Sequence, residues 1–251
     1  MTTSGDTPIT SHLTTRDLLC LRWIGQQYAA RFDQVQRLLY RHTPVEDRYK
    51  LKPNVDFLSQ DRTYELLRKW ATLGYIEKKI ILHGDQLWVW LSREGLRVAQ
   101  LPFQYGDGQP SSVRLPHLYS INQVRLAVEA RRPGDLWTSE REIRREMGVL
   151  IKGERRPHTP DALLTNMTNG KVTAIEVERT AKTESALLDD LRELAVTYTS
   201  IWYFATPATK KLLEAKLADF TPPMRKPFRL YSLTEYGDAY GLDSPITQPL
   251  F

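Results

Sequence analysis

The sequence predicts a two-domain chain of mixed α and β structure, an α+β or α/β fold class. Three observations carry this. The first hundred residues run helix, helix, helix, hairpin, helix; residues 101–113 have the Gly, Pro and Ser content of a linker; and residues 114–251 alternate strand-like apolar runs with helical ones. The length of 251 residues suits two ordinary domains, and 41% apolar with 26% charged residues fits a globular protein.

In residues 1–100, Thr14 or Thr15 can cap a helix with Leu18, Leu19, Leu21, Ile24 and Tyr28 at its apolar positions. A second short helix carries Phe32, Val35, Leu38 and Leu39. The polar, proline-containing residues 42–58 read as an extended loop. A third helix begins at Ser59 or Asp61 and runs through Leu73, with Tyr64, Leu67, Trp70 and Ala71 at helical spacing and Gly74 ending it. Tyr75–Leu82 and Leu87–Leu91 are strands about a turn at His83–Gln86, and Ser92 starts a last helix with Leu96 and Ala99 inward. This is the order of a winged helix-turn-helix. The chain carries a net charge of +5, and most of the basic excess falls in this first part. A polyanion partner, double-stranded DNA, is therefore expected. Arg62, Tyr64, Arg68 and Lys69 on the third helix and Lys78 and Lys79 on the wing are the candidate contacts; Tyr64 is alternatively a core residue.

In residues 114–251, His117–Arg131 reads as a helix with Ile121, Val124 and Val128 on one side, and Leu136–Arg145 as a strand. Two strands follow, one opening at Pro160-Asp161 and one over 172–180, joined by the turn signal Thr168-Asn169-Gly170-Lys171. Thr183 caps a helix through Tyr198 with Leu187, Leu191 and Leu194 inward; Ser200–Ala205 is a buried strand, Lys210–Leu217 a helix and Phe228–Leu233 a final strand. The hairpin brings Asp161 to the end that carries Glu176 and Glu178. Those two glutamates are two apart on a strand and point the same way. Three hard oxygen ligands in reach of one another suit Mg²⁺ or Mn²⁺; alternatively Glu176 and Glu178 line the solvent face of a half-buried strand. Glu140 and Glu142 would share a face of the preceding strand, where one of them completes the site or both pair with neighbouring arginines. His117 either approaches the carboxylates or caps its helix.

Cys20 is the single cysteine, which excludes an internal disulfide and a cysteine-based zinc site. No apolar run of about 18 residues occurs, so no membrane segment is expected. The polar start of the chain lacks a signal core, and a cytoplasmic location is expected.

The helix and strand order of the second part, with Pro160-Asp161 and then Glu176-Val177-Glu178 on successive strands, resembles the PD-(D/E)xK restriction-endonuclease-like nuclease fold. That resemblance implies metal-holding acids at Asp161 and Glu176. Where the family carries a lysine two residues after the third-strand acid, this chain has Glu178. Either Glu178 is a further ligand, or the lysine role has moved to Lys182 or Arg179, or the site is inactive. Across most of its length the chain is similar to plasmid replication-relaxation proteins and MobC-type conjugative relaxases. The stretches that carry this are Leu13–Leu18, Pro116-His117 with Asn122 and Arg125, Trp137–Arg144, Pro160-Asp161 and Glu176–Thr180. It implies a DNA relaxase that binds an origin of transfer and nicks one strand, working with accessory relaxosome and coupling proteins. A non-enzymatic winged-helix regulator with a degenerate nuclease-like domain is the alternative, and a double-strand endonuclease of restriction type a third.

Overall fold

The computed structural model describes residues 13–48, 55–105, 109–148, 158–180 and 183–237. The chain is of mixed α+β type and divides into two compact units, Met1–Gln109 and Pro110–Phe251. Among the described residues no helix is long and apolar enough to cross a membrane.

In the first unit, α1 (Thr15–Gln26) starts at a reciprocal cap. Thr14 Oγ1 accepts from the Asp17 N–H at 3.2 Å, and the Asp17 carboxylate accepts from the Thr14 N–H at 3.1 Å. A three-residue strand, β1 (Ala29–Arg31), leads into α2 (Phe32–His42). A single turn, α3 (Val45–Arg48), lies within the stretch expected to be all loop. The long helix α4 (Gln60–Thr72) is capped by Ser59 and released at Gly74, whose φ of +73° is the left-handed geometry glycine supplies without strain. The hairpin strands β2 (Ile76–Lys79) and β3 (Trp88–Leu91) are shorter than the sequence suggests, and α5 (Arg93–Val98) follows. The sheet order is β1-β3-β2, all antiparallel. A side chain at Gly95 could not be accommodated, since a Cβ there would lie 1.9 Å from the Tyr75 carbonyl oxygen. The core holds Leu21, Ile24, Val35, Leu38, Leu67, Trp70 and Trp88. Leu19, expected inside, is exposed, and Tyr28 lies beyond the end of α1 with a positive φ.

The second unit is a five-stranded sheet ordered β4-β5-β6-β7-β8. Helix α6 (Leu115–Arg131) precedes β4 (Leu136–Ser139), α7 (Glu140–Glu146), β5 (Ala162–Thr165) and β6 (Val172–Glu178). These three strands form an antiparallel meander. Helix α8 (Glu184–Thr197) crosses to β7 (Ile201–Ala205), parallel to β6; α9 (Pro207–Ala218) and the single turn α10 (Pro222–Arg225) lead to β8 (Phe228–Ser232), parallel to β7. Parallel neighbours require such crossovers, whereas β5 and β6 need only a tight turn. There the Asn166 side chain accepts from the N–H groups of Thr168 and Asn169, and Gly170 takes φ +70°.

Alternation along β6 decides what each face carries. Ile175 and Val177 pack with Ile121, Val124 and Val128 of α6. Ala174 packs with Leu187, Leu191 and Leu194 of α8 and Leu213 of α9. Glu176 and Glu178 share the parity of Ala174 and so take the α8–α9 side.

The expected strand Leu136–Arg145 is corrected here: only its first four residues are extended, and at Glu140 the chain turns helical. Ser139 Oγ accepts from the Glu142 N–H at 3.4 Å while the Glu142 carboxylate accepts from the Ser139 N–H at 2.8 Å. This capping box outweighs any strand propensity of the segment.

Candidate functional site

Asp161 stands one residue before β5. The ladder pairs Ala162 with Ile175, so the next step outward sets Asp161 opposite Glu176. Backbone groups fix it: the Val177 N–H donates to Asp161 Oδ2 at 2.8 Å, and the Glu140 N–H donates to the Asp161 carbonyl at 3.0 Å. The other carboxylate oxygen, Oδ1, lies 3.1 Å from His117 Nε2, in the first turn of α6. The Asp161 charge, partly opposed by burial of the ring and helped by the fields of Glu178 and Glu140, raises the His117 pKa to about 9. At neutral pH this is an imidazolium–carboxylate pair with Nε2–H donating.

Glu176 is buried at 5% exposure, and its Oε1 lies 2.8 Å from His158 Nε2. His158 is held from α8: its Nδ1 is 3.4 Å from Asp190 Oδ1, and its backbone N–H donates to Glu193 Oε1 at 2.6 Å. Glu178 ends β6, partly exposed, and its carbonyl accepts from the Thr206 N–H. On β7, where Tyr203 pairs in register with Glu176, burial and then the charges of Glu176, Glu178, Asp161 and Asp190 hold the Tyr203 phenol far above its ordinary range. Those four acids thus act on one place.

Around this end lie cationic groups. Arg179 donates from Nη1 to Ser120 Oγ at 2.8 Å, one turn along α6 from His117. Arg144 pairs with Glu140 at 2.6 Å, and Arg114 lies 3.7 Å from the same carboxylate. Among the described residues, no group of three or more His, Cys, Asp or Glu side chains is arranged to hold a metal ion.

The site residues expected from sequence therefore divide. Asp161, Glu176 and Glu178 come together at one end of the sheet, joined by His117. Glu140 contributes through its charge, whereas Glu142 is absorbed by the α7 cap; being on a helix, the two do not share a face as a strand would have placed them. Lys182 lies outside the described residues. His158 was missed, though its position three residues before Asp161 across Pro160, with acids spaced Asp190…Glu193 on the next helix, was the available signal.

In the first unit, Arg62, Tyr64 and Arg68 of α4 and Lys78 and Lys79 of β2 are exposed. Arg62 pairs with Glu65 at 2.6 Å. The Tyr64 ring rests 4.5 Å from that of Phe32. Lys69 is otherwise committed: its Nζ reaches Oδ2 of the fully buried Asp17 at 3.0 Å. It does not share a free surface with Arg62.

No family model, no curated protein and no solved structure matches this chain.

Proposed function

We propose that the protein is a DNA-processing enzyme that binds a site on duplex DNA through its first unit and cleaves one strand with its second. The single observation that carries this reading is the placement of Asp161 opposite Glu176, with Glu178 on the same strand face, in a unit ordered helix, strand, short helix, two strands, helix, strand, its first three strands antiparallel and the fourth parallel to the third. We read that unit as a PD-(D/E)xK-type nuclease domain and the first as a winged helix-turn-helix, with α4 as recognition helix and β2–β3 as wing. The resemblance to conjugative relaxases makes an origin of transfer of a plasmid or other mobile element the proposed target, with relaxosome and coupling proteins as the proposed partners.

The donor set is carboxylate oxygens with imidazole beside them, which suits Mg²⁺ or Mn²⁺. Asp161 and Glu176 would hold the ion, with Glu178 as third ligand. When bound, such an ion neutralises phosphate charge and lowers the pKa of a coordinated water. The chain's own residues do the rest. The Val177 N–H and Glu140 N–H hold Asp161 in place. The His117 imidazolium and Arg179 guanidinium put positive charge at the end of the sheet where a phosphodiester would lie, the role the absent lysine would otherwise serve.

Supercoiled plasmid bearing the element's transfer origin, incubated with the protein and Mn²⁺, Mg²⁺ or EDTA, is the test. Open circles with metal and none with EDTA or in Glu176→Gln are expected. Linear product would instead mark a double-strand endonuclease. A second reading, a DNA-binding regulator, is favoured by Glu178 standing where the lysine belongs and by the histidine already seated on each of Asp161 and Glu176. Specific binding without nicking in either metal would select it.

A further inference from the structure

We infer that the second unit carries a further nucleic-acid surface, on the α6 face of β7 and β8, which takes a single-stranded DNA segment and seats one unpaired base in a recess beside Trp202. This surface lies on the opposite face of the sheet from Glu176 and Glu178 and does not depend on how those acids are read.

Alternation along the last two strands builds its floor. Trp202 of β7 pairs with Arg229 of β8, and Phe204 with Tyr231. Phe228 and Leu230 belong to the core on the α8–α9 side, so Trp202, Arg229 and Tyr231 take the other side. There Phe204 is fully buried, Trp202 and Tyr231 are half-buried, and Arg229 is exposed. The rings of Phe204 and Tyr231 stack at 5.1 Å, and Trp202 meets Tyr231 edge-on at 5.8 Å.

Cations border this aromatic floor. The Arg132 guanidinium lies 4.7 Å from the centre of the Trp202 ring, and that of Arg131 lies 4.5 Å from the centre of Tyr236. A guanidinium laid over a ring keeps its in-plane N–H groups for phosphate oxygens. Arg229 donates from Nη1 to the Phe228 carbonyl at 2.9 Å, which steadies the side chain and leaves Nη2 for a ligand. Lys171, exposed in the β5–β6 turn, forms no ion pair among the described residues. The dipole of α6 accounts for Arg131 and Arg132 at its C-terminus. It does not account for Lys171 and Arg229, which arrive from other elements.

Beside Trp202, and reaching Lys171, opens a recess of about 130 Å³. That is well above the roughly 10–15 Å³ a single water needs and below the roughly 300 Å³ of a drug-sized ligand pocket, which leaves room for one flat ring. Trp202 and Leu164 supply apolar walls, while the Asn169 amide and Ser200 hydroxyl supply donors and acceptors for a base edge. Asp135 is the one acid lining it, and it is already engaged by Asn166 Nδ2 at 3.0 Å. A base stacked in a duplex cannot enter such a recess, whereas an unpaired base can. Aromatic rings within a positive groove are the physical basis of single-strand binding.

The experiment titrates the full chain, in EDTA so that no strand is cut, into a fluorescent oligothymidine of about 12 nucleotides or a duplex of equal length, read by fluorescence anisotropy. Wild type should bind the single strand. Arg132→Gln with Lys171→Gln, both exposed side chains, should lose about tenfold in single-strand affinity, lower the salt slope by about 1.4, and keep duplex affinity within about twofold. Lys78→Gln with Lys79→Gln should do the reverse. A bromouracil-substituted strand should photocrosslink to the peptide that carries Trp202. Absence of single-strand binding by wild type, unchanged single-strand affinity in the Arg132/Lys171 variant, an equal loss for duplex, or crosslinks confined to the first unit would each overturn the inference. Nicking is not read in EDTA, so any of these results leaves the proposed cleavage chemistry to its own test.

Discussion

On α4, Arg62, Glu65 and Arg68 stand in water, and Arg62 pairs with a residue of its own helix. At the end of β5 and β6, Asp161 and Glu176 are largely removed from water, and each meets a histidine, His117 at 44 residues' distance and His158 at 18. An exposed helix pair contributes about 0–1 kcal/mol and can be given up to a ligand at small cost. A buried pair is costly to break, because its surviving member keeps a charge without a partner. The first arrangement leaves cations available for a polyanion. The second keeps acids close together that would otherwise repel. Lys69 shows the difference within one helix. It lies one position from Arg68 yet belongs to the second kind, because its ammonium meets the fully buried Asp17.

Replacing residues of the two kinds should separate them cleanly. Asp161→Ala removes the acceptor of the Val177 N–H and the partner of His117 together; a stability loss of about 3 kcal/mol in urea denaturation and no detectable nicking are expected, with DNA affinity held within about twofold. DNA binding that falls in parallel with stability would break the comparison. Lys69→Ala should cost about 1–3 kcal/mol by taking the nearer of two cations from the buried Asp17, which keeps Arg16 at 3.7 Å and the Thr14 N–H, whereas Arg68→Ala should change stability by less than about 0.5 kcal/mol. Equal effects from the two would mean that Lys69 is an ordinary surface charge.

The His117–Asp161 pair stands between the extremes, with the histidine side chain 41% exposed. Its folded pKa is raised to about 9. The stabilisation is then fully present below the unfolded value of about 6.5 and is lost as pH rises through 9. Solvent screening at that exposure holds the loss to about 1 kcal/mol. Imidazole proton shifts should give a midpoint near 9 for His117 in the wild type, moving towards the ordinary histidine value in Asp161→Asn. The smallest effect on stability is expected at Arg62→Ala, within about 0.5 kcal/mol, where discrimination between cognate and unrelated DNA should fall. Lys79→Ala should weaken both DNAs alike and lower the salt slope by about one.

How much of this was legible varied with how local the cause is. Glu176 and Glu178 could be placed on one face from period-two alternation, and Asp161 beside them from the turn at 168–171, because a hairpin is a short-range object. The helices α1, α4 and α8 were legible from apolar spacing and capping residues. The strand expected through Arg145 failed although the warning was present: Ser139-x-x-Glu142 is a capping box, and its pattern should have outweighed the apolar start of the segment. β1 could not be seen, since three residues become a strand only through pairing with β3, some sixty positions away. Lys69 looked like a surface cation because nothing near it in sequence reveals Asp17.

The sequence by itself determined the mixed α+β class, the order of the main elements, the basic bias of the first hundred residues and the convergence of three acids at one sheet end. Each follows from local periodicity or from a short loop. Only the tertiary structure decided which charges are free and which are engaged: His117 against Asp161, His158 between Glu176 and Asp190, Lys69 against Asp17, Glu142 in a cap. The free energy of a charge depends on its burial and on partners distant in the chain, and neither quantity exists until helices and sheet have packed.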